Sequence, residues 1–336
     1  MLMSRSSITA TILVQNLVSP FLKHPGINYV SQPRQTVTKS IGEHGFAMLL
    51  DIKNIESNLT GEKVKTILWD VGSINCTILH NFQAWGRPFS NITVIGLSHG
   101  HFDHTGALYK VLKEIGYPVE IFAHPGVLLN RYFTRSTNVK YDQLLGKSIQ
   151  DVEKFVQSGD IFKTPGLVPD AIQDVGGSLK LSEEPAVLFE NADYKIWTTG
   201  QVPREFPEED FKSFVCVKAG IIEDDQILDD QSLVIERKQK MDTILLLGCC
   251  HAGLMNTIRL VERKSKSRIS LIIGGTHMES ASPERFESTL QFLRERAPVD
   301  LFPVHCSGAE FTIVINNLEV EGLRAYDASV FTQFLL

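Results

Sequence analysis

Three histidines and an aspartate fall within six positions in the run Ser98-His99-Gly100-His101-Phe102-Asp103-His104-Thr105-Gly106. Imidazole and carboxylate at that density are donors suited to a transition metal ion. His99 and His101 are two residues apart, so in an extended segment both rings leave the backbone on one side and can share an ion. Asp103 and His104 project from the turn that follows and can hold a second ion nearby, while Gly100 and Gly106 let the backbone bend tightly. Burying four such groups side by side without a cation brings no folding benefit, because like donors and acceptors would face one another out of water. The chemistry of such a centre is water activation: a bound divalent ion lowers the pKa of water from ~15.7 toward ~7 and polarises a substrate oxygen. Two ions about 3.5 to 4 Å apart also stabilise the attacking and leaving oxygens of a phosphoester. Asp103, besides binding metal, is a candidate to orient the nucleophile.

The elements that must position these groups are legible as short apolar or β-branched runs. They read as a first strand within Ile8 to Val18, then Thr66 to Val71, Ile92 to Ser98, Val119 to His124, Tyr194 to Thr199, Ser232 to Glu236, Thr243 to Gly248, Ile269 to Gly274 and Leu301 to Val304. Helical spacing recurs between them at Ala107 to Ile115, Leu254 to Val261 and Phe286 to Leu293, the last opened by Ser282-Pro283 as cap and first helical residue. Strands alternating with helices indicate a layered α/β domain. In such sheets ligand and catalytic groups collect at the carboxyl ends of the strands, and His251, His277 and His305 each follow a strand end. Six of the ten histidines thereby converge on one expected site. His277 is the candidate proton donor to the leaving group, with a role as a ligand left open. His24, His44, His80 and His124 are read as structural. Arg204, after a strand end and Pro203, is the candidate anion-binding residue for substrate. The stretch from Leu129 to Glu190 has no sustained period and reads as an insertion or lid, in which Arg131, Arg135 and Lys140 could add anion affinity.

With 336 residues, 43% hydrophobic and 21% charged, the chain has length enough to bury a sizeable core, and collagen-like, disordered and disulfide-scaffold classes are excluded. No confident boundary divides it, so it reads as one domain carrying the insertion. Basic residues number 33 against 39 acidic, a net charge of −6, which argues against gripping nucleic acid. Five scattered cysteines fit a reducing compartment. The apolar stretch near Ile8 is too short and too polar to span a bilayer. A cytoplasmic enzyme without membrane or nucleic-acid partners is expected.

The element Ile67-Leu68-Trp69-Asp70-Val71-Gly72 followed by His-x-His-x-Asp-His resembles the signature of the metallo-β-lactamase superfamily. The segments Glu43-His44-Gly45, Thr199 to Arg204, Asp229 to Ile235, Gly248 to Gly253, Gly274 to His277 and Pro303 to Cys306 resemble a narrower branch, named for a methanogen dihydropteroate-synthase-like enzyme. The resemblance implies a four-layer αββα sandwich with metal at the sheet edge. It implies zinc as the default ion, one or two per chain, with iron or manganese accepted by relatives. Carried over by position, His99 and His101 would bind the first metal, Asp103 and His104 the second, His251 and His305 would be further ligands, and Asp70 would orient an imidazole.

Two departures stand out: Asp229-Asp230-Gln231-Ser232 replaces a common Gly-His-Thr, and Gly248-Cys249 replaces a common Gly-Asp. The third and bridging ligands are thus open between His251, Asp230, Cys249 and His277. The expected function is metal-dependent hydrolysis of a small anionic substrate, a phosphoester or ester. The alternatives are transfer, joining a pterin to an arylamine ribose phosphate as the branch implies, and a non-hydrolytic metal-binding or redox role.

Overall fold

The computed structural model describes residues 6–54, 65–134, 139–210 and 214–336. In chain order the strands are β1 (Ser6–Val14), β2 (Val30–Ser31), β3 (Ala47–Asn54), β4 (Lys65–Trp69), β5 (Val94–Gly96), β6 (Val119–Ala123), β7 (Arg131–Thr134), β8 (Ile161–Thr164), β9 (Gly177–Leu181) and β10 (Val187–Glu190). There follow β11 (Tyr194–Thr198), β12 (Phe214–Lys218), β13 (Ile221–Asp224), β14 (Leu233–Arg237), β15 (Asp242–Leu246), β16 (Arg268–Gly274), β17 (Val299–Pro303), β18 (Leu323–Ala325) and β19 (Gln333–Leu335).

Among the described residues they form three sheets: β2-β19-β1-β3-β4-β5-β6-β9, β10-β11-β14-β15-β16-β17-β18, and the smaller β13-β12-β7-β8. Both large sheets are mixed. The first is antiparallel from β1 to β4 and parallel from β4 to β9; the second is antiparallel to β15 and parallel from β15 to β18.

Strands that are apolar at successive positions are buried on both faces, and alternate side chains here enter different cores. Ile67 and Trp69 of β4 and Met48, Leu50 and Ile52 of β3 meet Ile244 and Leu246 of β15 and Leu271 and Ile273 of β16 between the two large sheets. Leu68 and Leu49 point the other way, into a core shared with the helix Leu108–Ile115. Leu245 and Ile272 do the same on the second sheet, packing under the helices Leu254–Ser265, Pro283–Arg294 and Ala309–Asn317. Three apolar layers in series make an αββα sandwich. Ser282 caps the Pro283–Arg294 helix, its Oγ accepting from the Arg285 N–H at 3.2 Å. No helix among the described residues is long and apolar enough to cross a membrane.

The insertion differs in extent from the Leu129 to Glu190 expected. β9 joins the first large sheet and β10 the second, while β7 and β8 pair with β12 and β13 from beyond residue 210. The accessory sheet is thus built from two chain segments, around its own core of Tyr132, Val152, Ile161, Val215 and Ile222.

Candidate metal centre

Every expected site residue except Arg204 lies where the parallel strands end. Asp70 follows β4, the run His99–His104 follows β5, Cys249 to His251 follow β15, His277 follows β16 and His305 follows β17. Asp70, Cys250, His277 and His305 have positive φ, from 52° to 59°, a conformation costly for residues with a Cβ that persists where surrounding structure imposes it. Gly248 is required in its place: a Cβ there would lie 2.1 Å from Ser98 Oγ.

Two groups of donors result. His99, His101 and His251 place ligand atoms within 4.8 Å of one another, and so do Asp103, His104, Cys249 and His305. His104 Nε2 lies 3.1 Å from Cys249 Sγ and 3.2 Å from His305 Nε2, and His305 Nε2 lies 3.2 Å from Asp103 Oδ2. The His99 and His104 rings, 4.3 Å apart, join the groups.

Asp70 aims both groups from beneath. Its Oδ2 accepts from His104 Nδ1 at 2.7 Å and from Ser98 Oγ at 2.7 Å; with the hydroxyl hydrogen so committed, Ser98 Oγ accepts from His99 Nδ1 at 2.9 Å. Both imidazoles therefore carry their hydrogen on Nδ1 and turn the Nε2 lone pair toward the centre.

The electrostatics suit a cation. Burial, reinforced by neighbouring imidazoles and by Arg131, pushes His99 and His101 well below the ordinary histidine range, and burial with His277 does so for His251. All three are neutral donors. Burial opposes ionisation of Asp103, but His104, His305 and His101 outweigh it and hold the carboxyl well below its usual range. Burial lowers His104 too, and the carboxylates of Asp70 and Asp103 more than offset it. Burial, the Cys306 thiol and nearby carboxylates push the Cys249 thiol up. His99 Nε2, His101 Nε2, both ring nitrogens of His251 and His305 Nδ1 are buried without hydrogen-bond partners among the described residues. Neutral imidazoles turning unpaired lone pairs inward beside a carboxylate and a thiol fit divalent transition metal ions.

A model of the metallo-β-lactamase superfamily matches residues 65–179, the stretch that holds Asp70 and the His99–His104 run. The chain matches the metallo-β-lactamase superfamily over that stretch. It is 28% identical over 271 residues to 7,8-dihydropterin-6-methyl-4-(β-D-ribofuranosyl)-aminobenzene-5′-phosphate synthase of Methanocaldococcus jannaschii, across 79% of this chain and 81% of that protein. An uncharacterised protein of the same organism is 26% identical over 270 residues, 80% of this chain and 86% of that one. The crystal structure of a metal-dependent hydrolase of the β-lactamase superfamily has the same fold, with a TM-score of 0.67 at 17% identity over 97% of this chain and 98% of that one.

Within this fold the donor groups open on a cavity of about 330 Å³ lined by His44, His101, Phe102, Asp103, Phe133, Thr164, Phe214, Cys249, His251, His277, His305 and Cys306. No lysine or arginine among the described residues lines it. His277 stands with its ring 4.4 Å from His251, and burial followed by Arg285 pushes its pKa down to about 4.

Several sequence expectations are corrected by position. Arg204 does not reach the cavity: its Nη1 donates to the His251 carbonyl at 2.5 Å and its Nη2 to those of Gln226 and Ile227, so the guanidinium is spent on backbone. Arg131 is buried in ion pairs with Asp225 and Asp229 rather than offered to an anion. Lys140 is exposed away from the cavity, and Arg135 lies outside the described residues. Asp230 joins neither donor group; its Oδ2 accepts from the Ala252 N–H at 2.9 Å. His24 and His80 bond backbone carbonyls and His124 caps a turn, as structural residues do. His44 is different, facing Asp103 at 3.5 Å and His305 ring to ring at 4.7 Å.

Sequence reasoning also missed a row of rings. Phe214 of β12, Phe133 of β7 and Phe162 of β8 occupy one register across three strands, with centroids 5.7 and 5.0 Å apart. Phe214 stacks on the His101 imidazole at 4.5 Å. A fourth ring, Phe102, comes from inside the metal-binding motif itself and packs against Phe162 at 5.3 Å.

Proposed function

We propose that this protein is a two-metal enzyme that hydrolyses a phosphoester or ester whose anionic oxygen faces the metal centre and whose flat apolar part lies on the phenylalanine row. The observation that carries this reading is the pair of adjacent donor groups opening on one cavity with an aromatic wall. His99, His101 and His251 would hold one ion; Asp103, His104, Cys249 and His305 would hold the other. The mixed nitrogen, oxygen and sulfur donors suit zinc, with iron next and manganese less favoured by the thiol. When bound, divalent ions supply Lewis acidity, lowering the pKa of water toward ~7 and polarising the substrate oxygen.

The chain's own residues do the rest. Asp103, held ionised, accepts a hydrogen bond from the attacking water and fixes its direction. His277 is neutral near pH 7, so it takes the proton that the attacking water gives up and passes it to the leaving oxygen. The metal centre would recognise the anionic group by its Lewis acidity. The phenylalanines exclude water and supply the stacking that fixes the remainder of the substrate.

A second reading, transfer to an arylamine acceptor with loss of diphosphate, is favoured by the likeness to the synthase and by an aromatic wall on which an acceptor ring could stack. The deciding experiment is elemental analysis of untagged protein and of His101→Ala, with activity on a panel of aryl phosphoesters and esters. Two ions in the wild type, with metal and turnover lost together in His101→Ala, is the expected result. Diphosphate release that requires an arylamine would replace hydrolysis by transfer. No metal in metal-replete protein would defeat both readings.

A further inference from the structure

The residues that stand where many superfamily members have Gly-His-Thr are not idle. Asp229 and Asp230 are consecutive and almost wholly buried, and their carboxylates go to two different ligand loops. Asp229 Oδ2 accepts from the Gly100 N–H at 2.8 Å, between His99 and His101. Asp230 Oδ2 accepts from the Ala252 N–H at 2.9 Å, next to His251. Asp229 is itself clamped, its Oδ1 accepting from Arg131 Nη2 at 2.6 Å, while Arg131 Nε reaches Asp225 at 2.5 Å. Arg131 stands on β7, two residues from Phe133 and on the same face of the strand. Its fit against the ligand loop is close: a Cβ on Gly100 would lie 2.5 Å from Arg131 Nη1 and 2.9 Å from Val127 Cα.

We propose that the Asp229-Asp230 pair, braced from the accessory sheet by Arg131, is the positioning device of the first donor group, aiming all three of its imidazoles through the backbones of Gly100 and Ala252. These carboxylates are positioning groups, not ligands. Among the described residues neither carboxylate hydrogen-bonds to the second donor group, which Asp230 reaches only through its charge at His104 and Cys249, so a defect at Asp229 falls on the first. The accessory sheet is in consequence part of the metal site as well as a wall of the cavity. This rests on the reading that His99, His101 and His251 hold an ion.

The test is a cobalt(II) titration of the full chain under chelator competition. The thiolate-to-cobalt charge-transfer band reports the group containing Cys249, and the remaining visible absorption reports the other. Asp229→Ala is expected to weaken the first group by roughly 10- to 100-fold, the range found for residues that orient metal ligands, with the charge-transfer band titrating as in the wild type. Asp229→Asn, which keeps an acceptor for the Gly100 N–H, is expected to recover most of the affinity. If Asp229→Ala does not fold, Arg131→Lys is measured in its place, with the same selective loss expected. Unchanged titration in a folded variant overturns the proposal, as does parallel weakening of both groups. Wild-type protein that binds one cobalt, at the thiolate site alone, overturns instead the two-metal reading on which it rests.

Discussion

Asp70 is the residue through which the two donor groups share one support, since His104 bonds to it directly and His99 through Ser98. Asp70→Asn keeps the volume but can no longer accept all of these hydrogens as the carboxylate does. Metal affinity is expected to fall at both groups, by roughly tenfold or more, which contrasts with the selective loss on changing Asp229 and is read by the same titration. A second prediction concerns Glu209, which accepts from the N–H groups of Met255 and Asn256 at the start of the helix Leu254–Ser265. Burial raises its pKa to about 7, against the opposing pull of those N–H groups and of Arg285. A carboxyl raised on folding contributes stability that is present below its unfolded pKa near 4.5 and is lost as pH climbs toward 7, on the order of 3 kcal/mol. Chelator-treated wild type should therefore lose stability across that window in urea melts, and Glu209→Gln should lack the slope; equal slopes would show that Glu209 ionises in the fold at no cost. Contiguity decided which residues could be seen in advance. The run His99 to His104 announces itself, whereas Cys249 becomes a donor only because β15 ends beside β5. Arg204 misled because a guanidinium has the same one-dimensional signature whether it faces an anion or three carbonyls.

At the scale of elements, the site depends on strands that end at one edge in two different sheets. Their apolar runs made β4, β6, β11 and β14 to β17 readable to within a few residues. The accessory sheet was not readable, because its strands have four or five residues and β7 pairs with β12 from far along the chain. No local period records a pairing of that kind. The phenylalanine row is a property of that register, since a slip of one residue would turn Phe133 or Phe214 to the opposite face. Phe133→Ala removes the central ring, and is expected to raise KM roughly tenfold for an aryl substrate while leaving kcat nearly unchanged, as loss of uniform binding does. Steady-state kinetics check this, and an equal fall in kcat would place Phe133 in transition-state binding instead.

At the scale of the molecule, each donor group draws residues from both large sheets: His99 and His101 with His251, and Asp103 and His104 with Cys249 and His305. A bound ion therefore ties the halves of the sandwich together at one end, where the apolar core between them gives way to polar side chains. An ion in hundredfold excess over its Kd adds about 2.7 kcal/mol to stability, so chelation should lower Tm by several degrees in calorimetry, and His101→Ala should show a smaller difference between metal-loaded and chelated protein. The layered αββα order was legible from alternating strands and helices together with the family signature. The closure of the first sheet was not, because β19 lies between β1 and β2, pairing Thr9 to Thr11 with Gln333 to Leu335 on one side and Val30 and Ser31 on the other. On the ribosome, which delivers residues in order, β1 can pair with β3 long before β19 is synthesised to cover its other edge. The nascent chain thus carries an open β-edge rich in isoleucine and threonine until β19 has been made, and β19 acts as the latch that removes it.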